Sequence, residues 1–127
     1  MIPILAIPHF EWMPGDDHQK TFTPQDKLAM RYLAAGRTAQ AIRLYRQTLA
    51  DCERALGADH PYTFRSRNNL AMGYQAAGRT AEAIPLLERT LADCERVLGA
   101  DHPNTKAAQK YLVAVTGEPE SHRRIDP

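Results

Sequence analysis

The chain has 127 residues, 43% of them hydrophobic and 24% charged, which fits one folded domain or a small array of repeating units. Its formal net charge is +1 and basic residues alternate with acidic ones, so electrostatics favour neither nucleic acid nor an anionic membrane as a partner. Two cysteines are too few for a disulfide framework and point to a reduced, cytoplasmic setting.

Residues 1–13, MIPILAIPHFEWM, form an apolar segment with no basic n-region and with Pro3 and Pro8 inside it. It is too short and broken to span a membrane and makes a poor signal peptide. Its expected place is packed on the domain that follows, and no other run approaches membrane length.

From residue 14 the chain repeats itself. LGADHP stands at Leu56–Pro61 and again at Leu98–Pro103, 42 residues apart. The same shift lays LAMRYLAAGRTAQAI (Leu28–Ile42) on LAMGYQAAGRTAEAI (Leu70–Ile84), and TLADCERALG on TLADCERVLG. PGDDHQKT (Pro14–Thr21) reads as a damaged copy of the corner. A fixed period of this length signals stacked structural units.

Each unit reads as helix–turn–helix. Gly57 suits a positive φ just past a helix, Asp59 or His60 can cap the next one, and Pro61 fits its first turn. That helix runs to about Ala77 and stops at Gly78. Thr80 is the expected cap of the second helix, Glu82 sits near the positive end of its dipole, and Pro85 should bend or loosen its start. Ile84, Leu87, Leu91 and Leu98 give it one apolar face. A solitary helix over 103–116 begins a third unit and serves as a lid, with Lys106, Gln109 and Lys110 outward. Residues 117–127 read as a polar tail. The organisation is therefore an apolar segment (1–13), an all-α repeat domain (14–116) and a tail.

Leu70-Ala71-x-x-Tyr74, Gly78-Arg79 and Glu82-Ala83-Ile84 together resemble the tetratricopeptide repeat. The 42-residue period and the LG-x-DHP-x-T corner resemble its kinesin-light-chain type, over nearly all of residues 14–115. The Ala- and Arg-rich wording with little Lys hints at a bacterial source. The resemblance implies a right-handed α-solenoid of antiparallel helix pairs, two full and one begun, whose first helices line a concave groove. It also implies a protein-binding role, with the groove taking an extended peptide or partner segment.

On that reading the second unit presents Arg65, Asn68, Asn69, Met72 and Gln75 to the groove, with Lys27, Met30 and Lys110 at its edges. The resemblance makes Asn69 a clamp on peptide backbone, since an amide both donates and accepts. Arg65 and Arg67 suit acidic side chains. The matching positions are Asp26-Lys27 and Lys110-Tyr111, so the clamp occurs once. HFEWMPGDD (9–17) resembles the tryptophan-acidic peptides such grooves take, and suggests a self-ligand beside the simpler reading that Trp12 packs on the end of the array.

His18, His60 and His102 recur at the period, but stacked helix pairs set them about 10 Å apart, too far to share a metal, and capping explains them. The same spacing keeps Cys52 and Cys94 apart as inert thiols. No phosphate loop, HExxH, Cys-x-x-Cys or nucleophile elbow is present, so neither an enzyme nor a cofactor is expected. The rival function is structural: a scaffold assembling into a homo-oligomer through its open ends.

Overall fold

Five α-helices follow one another in the computed structural model, which describes residues 15–117, with side chains from Pro24 onward. They are α1 (Gly15–Ala34), α2 (Thr38–Leu56), α3 (Pro61–Ala76), α4 (Thr80–Val97) and α5 (Pro103–Thr116). Each packs on the next, and α3 also touches α1 and α5. So α1, α3 and α5 form one layer and α2 and α4 the other, an all-α solenoid of antiparallel pairs closed by a single fifth helix. No helix among the described residues is long and apolar enough to cross a membrane. The apolar segment and the tail beyond Gly117 lie outside the described residues, as does the start of the tryptophan-acid stretch.

Two kinds of turn separate the helices. The short one is AAGR, where Gly36 (φ +80°) and Gly78 (φ +76°) take the left-handed conformation that a Cβ would oppose. The following Arg N–H then reaches back to a helix carbonyl, Arg37 to Tyr32 and Arg79 to Tyr74, both at 2.8 Å. The long turn is the LGADHP corner. His60 is its cap: Nδ1 accepts from the Tyr62 N–H at 3.0 Å, and His102 does the same for Asn104. Thr63 Oγ1 donates to the Gly57 carbonyl at 2.8 Å and Thr105 Oγ1 to Gly99 at 2.7 Å, so the threonine of the motif closes the corner over its glycine. Asp59 does not cap; it lies 3.7 Å from Arg96.

Two local expectations change. Thr80 is not the cap of α4 but its first residue; Arg79 holds the cap position with no side-chain bond and pairs instead with Glu82, Nη2 to Oε2 at 2.6 Å. The helix stays continuous at Pro85, where a bent or loosened start was expected, and runs through it to Val97. The damaged first corner is no corner: α1 already covers Gly15, and His18 is inside it. One difference from the other corners is the missing proline. His60 (ψ 142°) and His102 (ψ 142°) precede Pro61 and Pro103, and a residue before proline is biased away from the helical region. His18 precedes Gln19 and carries no such restriction.

The core is continuous through both layers. Ala29, Ala41, Ile42, Tyr45, Leu70, Tyr74 and Ala83 form one cluster, and Ala71, Leu87, Leu91, Ala108 and Leu112 the next. Cys52 and Cys94 are fully buried, and burial pushes their thiols up to about 12 and about 11, so both are inert at neutral pH.

Candidate peptide groove

The layer of α1, α3 and α5 encloses a hollow of about 390 Å³ lined by Met30, Arg65, Asn68, Asn69, Met72, Asn104, Ala107 and Tyr111. Helical spacing produces it. Arg65, Asn69 and Met72 project from one stripe of α3, and Met30 and Met72 are the same position of successive units. Met30 is exposed and Met72 half-buried, giving the hollow two adaptable apolar contacts. Arg65 is exposed, its guanidinium carbon 5.4 Å from the centroid of the Tyr62 ring, which holds the cation at the rim.

Two of the polar side chains are committed to the fold. Asn68 is 2% exposed. Its Nδ2 donates to the Asn104 carbonyl at 3.2 Å, while Asn104 Nδ2 donates to the Pro61 carbonyl at 2.7 Å. These bonds tie the start of α5 to the start and the middle of α3, so Asn68 forms floor, not the solvent-facing surface that sequence assigned it. Arg67 is buried as well, bonded through Nη1 to Asp93 Oδ2 at 2.9 Å, and is not available to an acidic ligand.

Beside the hollow lies Asp26, 4% exposed, with neither carboxylate oxygen in a hydrogen bond of ordinary geometry. Burial pushes its pKa up; the charge of Arg65 and the nearby Asn69 amide and Tyr62 hydroxyl pull against that. Arg65 and Asn69 therefore face two ways, toward Asp26 below and toward the hollow above.

Of the eight residues the sequence offered, five line the hollow: Met30, Arg65, Asn68, Asn69 and Met72. Lys27 and Lys110 are exposed and Gln75 half-buried, and none of the three lines it. Asn104, Ala107 and Tyr111 were missed. The period names them, since they are the counterparts of Tyr62, Arg65 and Asn69 one unit on. Among the described residues no three His, Cys, Asp or Glu side chains are grouped to hold a metal ion.

Comparison with known proteins agrees with this architecture. The tetratricopeptide repeat model matches residues 20–92 and 64–118. No curated protein matches. Among solved structures, one of nearly identical TPR-like repeats, from a Podosopora anserina protein described as a kinesin light chain, is 29% identical with a TM-score of 0.71. It covers 89% of this chain and 51% of its own. A variant of that same protein carrying one glutamine-to-methionine substitution is 28% identical with the same TM-score, covering 89% and 50%. The chain thus spans about half the length of these structures. Repeats of this kind generally mediate protein–protein contacts. With the family model matched across most of its length, the chain belongs to the tetratricopeptide repeat family.

Proposed function

We propose that this chain is a non-enzymatic binding module that holds an extended peptide, or an extended segment of a partner protein, in the hollow between α1, α3 and α5. The observation that carries the reading is the convergence of Met30, Arg65, Asn69, Met72 and Tyr111 from three helices on one recess. Two thioether chains and a tyrosine ring offer apolar contact that adapts to different side chains. The Asn69 amide offers a donor and an acceptor to peptide backbone, and Arg65 offers one fixed cation to an acidic side chain. Lys27 and Lys110, outside the recess, add positive charge around it.

The test is selection of random twelve-residue peptides on the immobilised chain, with the hits titrated against wild type, Arg65→Ala and Asn69→Ala. The expected result is enrichment of a family of peptides whose binding weakens by about 0.5–3 kcal/mol in Asn69→Ala. No enrichment, or hits indifferent to both substitutions, would remove the groove as the functional surface.

A further inference from the structure

We propose that the outer face of the first unit, formed by Leu28, Tyr32 and Leu44, is a docking surface for the chain's own residues 1–13. The second unit shows what this face requires. The counterparts of Leu28, Tyr32 and Leu44, 42 residues on, are Leu70, Tyr74 and Leu86. Leu70 is 5% and Tyr74 7% exposed because α2 lies over them. Ile42 and Tyr45 share their cluster, and Arg46 Nε donates to the Tyr74 hydroxyl at 3.1 Å. In the first unit no described element stands where α2 stands in the second. Leu28 is 43% exposed, and a hollow of about 230 Å³ opens between α1 and α2 beside Tyr32, Arg43 and Leu44.

The period states what belongs there. The residues before α1 stand 42 positions ahead of the stretch of α2 that does the covering. Pro3, Ile4, Ile7 and Phe10 fall at the positions of Tyr45, Arg46, Leu49 and Cys52. An apolar residue thus stands in each place, including that of Arg46. Pro3 and Pro8 each remove a backbone donor, but reach does not require a regular helix. From Gly15 to Tyr32 along α1 is about 25 Å, and thirteen extended residues span up to about 45 Å. Apolar area on both partners supplies the driving force. On this proposal the segment does for the first unit what each second helix does for the next.

A nitroxide at a single added cysteine tests this in the full chain. His9→Cys places the label within the segment at a polar position, and the buried Cys52 and Cys94 remain unreacted. Amide broadening in the 15N-labelled chain should be strongest at Tyr32, Gln40, Arg43, Leu44 and Gln47, and unchanged on tenfold dilution. Adding Ile4→Asp and Ile7→Asp to the labelled chain should abolish that pattern. Broadening centred on Asn69, Asn104 and Ala107 would place the segment in the groove and overturn the proposal. Transfer of the broadening from a spin-labelled 14N chain to an unlabelled 15N chain would give the face to a second copy instead. Broadening confined to the segment's sequence neighbours, or a pattern that survives both aspartates, would also overturn it.

Discussion

The ring of Tyr45 lies against Gly73, where an added Cβ would meet ring carbons at 3.1 and 3.3 Å. One unit on, the same two positions hold Leu87 and Val115, which pack in the next cluster. Large against absent in one interface becomes medium against medium in the next. Gly73→Val alone should destabilise the fold by about 1–3 kcal/mol, because Tyr45 is fully buried and cannot yield. Tyr45→Leu alone should also destabilise it, by leaving a void. The pair together should recover part of both losses, read as a favourable coupling in a chemical-denaturation double-mutant cycle. Purely additive losses would show that the two positions are not exchanged as a set.

Asn68 and Asn104 give α5 its attachment near the corner. Asn68→Ala is expected to cost about 1 kcal/mol and to accelerate amide exchange in α5 more than in α2. Uniform loss of protection in both helices would mean that the bond does not act locally.

Asp26 and Asp93 should tilt stability with pH in opposite senses. At Asp93 burial acts upward, but hydrogen bonds from Arg67 and Arg96, with their charges, outweigh it and hold the carboxyl below its usual value. That contribution is present above about pH 4, the unfolded pKa, and is lost as pH falls through the lower folded one. At Asp26 the folded pKa is raised by burial, so the fold opposes ionisation and stability declines as pH rises from about 4 through that value. Asp26→Asn should therefore raise stability at pH 7 by about 1 kcal/mol, seen as a higher unfolding midpoint, and flatten that decline. Asp93→Asn should lower the midpoint at pH 7 and flatten the acid limb. Thermal melts between pH 3 and 8 read both, and a lower midpoint for Asp26→Asn at pH 7 would contradict the assignment.

The corner histidines are caps whose loss is measurable. His60→Ala and His102→Ala should each cost about 0.5–2 kcal/mol, and His60→Asn or His60→Asp should restore most of it, since either side chain offers an equivalent acceptor. Failure of both replacements to rescue would assign His60 a packing role instead.

Much of this architecture is legible in the letters because one unit is written against another. The LGADHP identity fixes the corners, and the AAGR identity fixes the short turns with a glycine at each positive φ. What was not legible depends on neighbours distant in sequence. Asp26, Asn68 and Lys110 share one register, yet the first two are buried and the third exposed, because α3 lies over Asp26 and α5 over Asn68, while no described helix follows α5. Arg67 looks available until Asp93, a helix away, takes it. Tyr111 and Asn104 enter the groove only once α5 lies beside α3, though their register was there to be counted.

The most direct test of the groove is a 15N amide titration with a selected peptide. The account predicts that the largest shifts cluster on Met30, Arg65, Asn69, Met72, Asn104 and Tyr111, with α2 and α4 little changed on their outer faces, and that Asn69→Ala diminishes them. Shifts centred on the outer faces of α2 and α4, with the groove residues unmoved, would contradict it.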